Sequence, residues 1–300
     1  MRARPVHKKQ DLFVTRRVVG RVFRLKPGKR TNQIIRYILA VLVRRHNVSL
    51  HATCWMSNHH HDVLFDDDGR ISAFIRDLHS TVARHINAVY GDFGSLWESE
   101  QTSLVRSEVP ADVIGRIAYA MANPVEARLV RNGFSWPGVR DRWPTRPRTI
   151  KRPAGFFRKQ KDGGHWPDEA VLEFKRPVGY DELDDDQLSA LIESRIESAE
   201  SRARETADAE EKRFLGRAGV LRQSRRGSPR TREQRFGISP RVASRDKWRR
   251  IEALQRDSEW YAAYCESRDR YCAGERSVVF PAGTYQLRIL HRVSVAPPAD

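Results

Sequence analysis

Residues 55–65 read WMSNHHHDVLF, an apolar run interrupted by Asn58 and then by three consecutive histidines. Residues 48–56 ahead of the interruption read as one strand and 59–65 as the next. Ser57-Asn58 supplies the turn chemistry between them, so the stretch predicts a tight β-hairpin. Side chains on a strand alternate between faces, which puts His59 and His61 on one face and His60 on the other. Two neutral imidazoles on one face can chelate one divalent ion, and a mixed nitrogen and oxygen site of this kind suits Mg2+, Mn2+ or Zn2+. An H-x-H pair alone is weak evidence, because many such pairs are half-buried polar residues.

Working outward, residues 12–25 alternate as a strand, KPGKR at 26–30 is a turn, and Thr31 is placed to cap a helix over 32–45. Residues 71–90 carry Phe74, Leu78, Val82, Ile86 and Val89 at helical spacing. A glycine-rich loop follows, then a fourth strand at 102–106. A third helix opens at Pro110-Ala111-Asp112 and is expected to stop at Asn123, because Pro124 disfavours the helical conformation before it. The order strand, helix, strand, strand, helix, strand, helix predicts an α+β, ferredoxin-like (RRM-like) antiparallel sheet with helices on one face and an appended helix. We expect residues 1–145 to form this domain, 146–179 a linker or extended wrap, and 180–300 a mainly helical C-terminal region. Within that region, helices are expected from the acidic DELDDDQ at 181–187 onward, at 240–256 and at 257–273, with a strand or hairpin at 277–290.

The chain has 300 residues and a formal net charge of +17, which suits a polyanionic partner better than a neutral small molecule. Residues 1–150 hold 25 Lys/Arg against 13 Asp/Glu, while 151–300 hold 30 against 25, so the polyanion is expected on the N-terminal half. Residues 1–30 alone carry 11 basic side chains and only Asp11 as an acid. Phe13, Phe23 and Trp97 are candidates for stacking on bases, although each is more often core. Trp55 and Phe65 are assigned to the core. Three cysteines without a C-x-x-C pair fit a reducing compartment, and the longest apolar run, ten residues at 34–43, contains Arg36 and is too short for a bilayer. A cytoplasmic, nucleoid-associated protein is expected.

In RIAYAMANPVEARLV, residues 116–130, Tyr119 and Asn123 are one helical turn apart, with Arg116 beside them. Val113, Ile114, Ile117 and Met121 form the apolar side, so Tyr119 and Asn123 are expected to face away from the sheet. MSNHHHDVLF, INAVYGDFGSLWESE and YAMANPVEARLV, in that order, resemble the three signature segments of the HUH single-tyrosine transposases, and most of all the REP-associated tyrosine transposase branch. The likeness covers about residues 10–145. It implies a ferredoxin-like fold, with His59, His61 and Asn123 holding Mg2+ or Mn2+ and Tyr119 as the nucleophile. It further implies single-stranded, hairpin-forming DNA as substrate and a covalent 5′-phosphotyrosine link beside a free 3′-OH. His60 stands where the family commonly has an aliphatic residue, and Ser57 where it has proline.

The chemistry agrees with these parts. A phenol of pKa about 10 is a poor nucleophile at neutral pH, and a phosphodiester is anionic, so attack needs charge neutralised at the phosphate. One alternative is a domesticated DNA-binding protein that keeps the fold without cleavage. A metal-dependent hydrolase of small substrates fits the basic N-terminal half poorly. For residues 180–300 packing, dimerisation into a homodimer and sequence reading all stay open.

Overall fold

The computed structural model describes residues 3–100, 102–156, 166–231 and 240–298. Its N-terminal part runs β1 (Gln10–Arg17), α1 (Lys29–Arg45), β2 (Val48–Trp55), β3 (His59–Asp66), α2 (Ile71–Tyr90), β4 (Ser103–Ser107), α3 (Pro110–Glu126) and β5 (Arg140–Arg142). The sheet order is β4-β1-β3-β2-β5, and every neighbouring pair is antiparallel. The first four strands thus take the ferredoxin-like arrangement expected of this α+β order, and β5 extends the edge beside β2.

Register assigns the two faces. Arg16 pairs with His60 and Thr15 with His61 across β1 and β3. The Arg16 and His60 face, which strand alternation shares with Leu12, Val14 and Leu64, is covered by α2, whose His79 bonds both. α1 packs beside α2. The appended helix, α3, lies across the opposite face, where Phe13, His59 and His61 point.

Two ends differ from the sequence expectation for backbone reasons. β1 stops at Arg17, well before residue 25, because Gly20 (φ 59°) and Arg21 (φ 57°) turn the chain through the left-handed region. α1 begins at Lys29, with Gly28 at the cap position, and the Thr31 hydroxyl instead hydrogen-bonds with that of Tyr90 at 2.7 Å.

α3 does not stop at Asn123, and Pro124 lies inside its last turn. The proline ring withdraws one donor, the one that would meet the Ala120 carbonyl, while Ala127 N–H still reaches the Asn123 carbonyl (2.9 Å) and Leu129 N–H the Pro124 carbonyl (3.0 Å). Asn123 is therefore held in regular helix.

Beyond β5, the ribbon of β6 (Arg148–Lys151) and β7 (Glu169–Leu172) lies against α1. α4 (Asp185–Ala209) starts with a capping box: the Asp184 carboxylate accepts from Gln187 N–H and the Gln187 side chain accepts from Asp184 N–H. It packs on α3, and its buried Glu200 accepts from Arg140 (3.0 Å) and from the Gly133 amide (3.2 Å).

α5 (Gly216–Arg222) and α6 (Lys247–Cys272) follow. α6 is one helix where two were expected, since the polar Asp257-Ser258 step contains no helix breaker. The expected strand at 277–290 shrinks to β8 (Val279–Phe280). After Pro281 and Gly283 (φ 99°) the chain forms α7 (Tyr285–His291), and β9 (Ser294–Val295) then pairs with β8 in parallel.

Phe74 of α2 is fully buried in the main core. Phe74→Ala is expected to cost about 3–5 kcal/mol in chemical denaturation. A cost below about 1 kcal/mol contradicts the packing of α2 on the sheet.

Candidate active site on the open face of the sheet

His59 is the first residue of β3 and His61 the third, and the pleat sets their rings edge-on to one another with centroids 4.9 Å apart. His61 is the better fixed. Its Nδ1 hydrogen-bonds with the Thr15 hydroxyl at 2.8 Å, its ring stacks on Phe13 at 5.1 Å, and its buried Nε2 has no hydrogen-bond partner among the described residues. His59 hydrogen-bonds through Nδ1 with the Asn58 amide oxygen at 2.8 Å, and its Nε2 lies 3.3 Å from the Asn123 amide oxygen.

Burial pushes both imidazoles down the pH scale. His59 falls to about 4 despite its bond to Asn123, and His61 falls well below the usual value, with His59, His60, Arg17 and Arg116 adding to the effect of burial. Both rings are thus neutral near pH 7, the state a metal requires.

Tyr119 does not face away from the sheet. Its ring packs edge-on against His61 (5.4 Å) and Phe13 (5.8 Å), and 40% of the residue stays exposed. The expectation failed because α3 is buried on more than one side. Its apolar residues are covered, α4 also packs on it, and the flank bearing Arg116, Tyr119 and Asn123 is left over the histidine face.

Burial raises the Tyr119 phenol and Glu126 adds to that, while Arg116, Arg17 and a hydrogen bond from Asn123 pull it back. The Arg116 guanidinium lies over Phe13 at 5.2 Å. The four predicted site residues, His59, His61, Tyr119 and Asn123, therefore sit together on one face.

Two other tyrosines of this domain, Tyr37 and Tyr90, are engaged elsewhere. Tyr37 is fully buried and donates to the Pro167 carbonyl, while Tyr90 bonds Thr31 beneath the Arg225 guanidinium, which lies 3.4 Å from its ring. His60 belongs to the opposite face. It stacks on Trp55 at 4.3 Å, shares a 2.9 Å nitrogen contact with His79, and has Nδ1 3.0 Å from Asp62, both side chains fully buried. Phe13 and Trp97 are core rather than exposed platforms, whereas Phe65, assigned to the core, is only half-buried.

Thr15 and Asn58 were missed as site residues, and Phe13, named as a base-stacking candidate, instead supports His61. Only the β1–β3 register, invisible in one sequence, brings Thr15 and Phe13 to His61. The signal for Asn58 was its place in the hairpin turn, where Val18 N–H also reaches its carbonyl at 2.8 Å. A cleft of about 580 Å³ opens at His59, lined among others by Arg17, Arg21, Phe23, Asn58 and Arg128.

Among the described residues, no cluster of three His, Cys, Asp or Glu side chains could hold a metal. The set that fits one is two imidazoles and an amide. Its donors are of the right chemistry: neutral rings, one with an orphaned buried nitrogen, beside an amide oxygen.

No family model and no curated protein sequence matches the chain. Part of the chain is similar in structure to a REP-associated tyrosine transposase bound to a REP hairpin, with 18% identity, 46% of this chain and 80% of that one covered, and a TM-score of 0.39. A transposase-class protein from Deinococcus radiodurans R1 aligns at 16% identity over 35% of this chain and 84% of its own, with a TM-score of 0.27. Among the described residues, no helix is long and apolar enough to cross a membrane.

Because the folded imidazoles titrate below an unfolded histidine at about 6.5, the unfolded chain binds protons that the fold refuses. Their contribution to stability is complete above pH about 6.5 and is lost as pH falls toward 4. Proton NMR of the metal-free protein is expected to show His59 and His61 neutral at pH 5.5. Ordinary titration of both near 6.5 contradicts the buried geometry.

Proposed function

We propose that the protein is a metal-dependent single-stranded DNA transposase, an endonuclease that cleaves and rejoins DNA through a covalent 5′-phosphotyrosine at Tyr119. The observation that carries this reading is the convergence of the orphaned His61 Nε2, the His59 Nε2, the Asn123 amide oxygen and the half-exposed Tyr119 ring on one face. His59, His61 and Asn123 would hold Mg2+ or Mn2+, which when bound supplies positive charge at a phosphate oxygen.

The chain's own residues do the rest. The Tyr119 oxygen attacks phosphorus and forms the O–P bond. The 3′ oxygen leaves with the electron pair of the broken bond and takes a proton from solvent, while the phenol proton is lost to solvent. Burial raises the phenol's pKa, and Arg116 and Arg17 work against that rise, toward the phenolate. Thr15 and Asn58 hold the two imidazoles by their other nitrogens, the usual way a ring is aimed at a metal. The bond energy stays in the ester, so rejoining needs no nucleotide cofactor.

Single-stranded DNA, hairpin-forming as the sequence resemblance implies, is the substrate this site would take, and the arginine-lined cleft beside His59 has the charge to hold it. A homodimer and a nucleoid location are compatible with this reading and rest on the sequence alone. A DNA-binding protein without cleavage is the alternative; the half-exposed Tyr119 ring packed against His61 favours the cleaving reading.

Tyr119→Phe removes one oxygen and keeps the ring contacts with His61 and Phe13. With labelled single-stranded DNA from the flanking locus and Mn2+, the wild type is expected to give a covalent adduct on a denaturing gel. The variant gives none while binding DNA as before. His59→Ala and His61→Ala lose cleavage, and Asn123→Ala keeps a slow residue of it because two ligands remain. An adduct undiminished in Tyr119→Phe overturns the mechanism.

A further inference from the structure

Residues 212–231, KRFLGRAGVLRQSRRGSPRT, carry seven Lys/Arg and no Asp/Glu, although they belong to the less basic half of the chain. The segment runs along the rim of the cleft that opens at His59. Leu215 N–H donates to the Arg128 carbonyl (3.0 Å), Phe23 N–H to the Gly227 carbonyl (2.8 Å), and Arg21 to the Thr231 carbonyl (2.7 Å) and hydroxyl (3.1 Å). Arg225 turns inward and donates to the Arg24 carbonyl (2.6 Å) and to Asp92 (2.8 Å). Val220 is buried in the main core. Gln223, Pro229 and Thr231 line the cleft together with His59, Arg17, Arg21 and Arg128.

These anchors account for Arg225 but not for Arg222, Arg226 and Arg230, which are exposed. Arg222 adjoins Gln223, and Arg230 lies between Pro229 and Thr231, three residues that line the cleft, while Arg226 adjoins Gly227, whose carbonyl accepts from Phe23 N–H. Concentrating cations along this rim costs free energy through self-repulsion, and of the described residues lining the cleft only Glu126 is acidic. A polyanion in the cleft reverses that cost.

We infer that residues 222–231 form one wall of the DNA-binding cleft, with Arg222, Arg226 and Arg230 on the phosphates of the strand that reaches Tyr119. The inference rests on the proposed function and gives part of the C-terminal half a direct share in substrate binding. The occupant is a phosphodiester backbone rather than an acidic protein, because the cleft is continuous with His59 and has the half-buried Phe23 in its wall, an aromatic surface beside a row of cations.

The test compares full-length protein with the triple variant Arg222→Gln, Arg226→Gln, Arg230→Gln. A control, Arg249→Gln, Arg268→Gln, Arg270→Gln, removes the same charge from α6, which does not line the cleft. Binding of a single-stranded oligonucleotide is measured against salt.

Each phosphate contact contributes about 0.7 to the slope of log K on log salt for single strands. The triple variant is therefore expected to lose about 2 units of slope, and the control to keep the wild-type value. If the wild type binds DNA and the triple variant matches it or the control, the inference fails while the proposed function stands. Tighter binding by the triple variant, the mark of a segment that obstructs the cleft, also overturns it. A wild type that binds no single-stranded DNA overturns both.

Discussion

The two-residue period of β3 is the constraint on which the molecule depends. Three adjacent imidazoles would be difficult to bury together, but strand alternation sends them to opposite sides of the sheet, in a register fixed along the 8 residues of β1 and the 8 of β3. His60 goes into the layer beneath α2, where Trp55, Asp62 and His79 surround it. His59 and His61 go to the layer beneath α3. A slip of one residue in the register would exchange the two sets, burying the metal-type pair against α2 and exposing the core histidine. The backbone bonds from Val18 to Asn58 and from Leu25 to Ser57, both at the hairpin turn, oppose that slip.

The second requirement is that α3 cross the open face at a fixed height and rotation. α4 supplies it from above, with Glu200 bonded to Arg140 and Gly133, while Arg140 also donates to the Met121 carbonyl of α3 at 2.8 Å. A buried carboxylate shared by a guanidinium and an amide is well satisfied, and removing either partner would leave a costly charge. The face that carries His59, His61 and Tyr119 thus depends on a helix from the C-terminal half, and the cleft beside it is lined in part by Gln223, Pro229 and Thr231 of the same half.

Much of this was legible in the chain itself. α2 was read to the residue, because Phe74, Leu78, Val82 and Ile86 form one stripe and Gly91, in the left-handed conformation (φ 66°), ends it. The hairpin at Ser57-Asn58 and the split of the histidines followed from turn chemistry and strand parity. What failed depended on partners that one sequence does not display. Tyr119 was turned the wrong way because a helical wheel assumes one buried side, and α3 has several. The end of β1 turned on Arg21 adopting a positive φ, which its residue type does not announce. Thr15 as support for His61 required a strand register.

In the proposed reaction Tyr119 becomes the covalent link to DNA. The direct measurement is mass spectrometry of peptides from wild-type protein reacted with a single-stranded oligonucleotide and Mn2+. The proposed reaction predicts a nucleotide joined through its 5′-phosphate to the peptide containing Tyr119, with the released strand ending in a 3′-OH. A nucleotide found on any other residue, or cleavage that leaves every peptide unmodified, would contradict it.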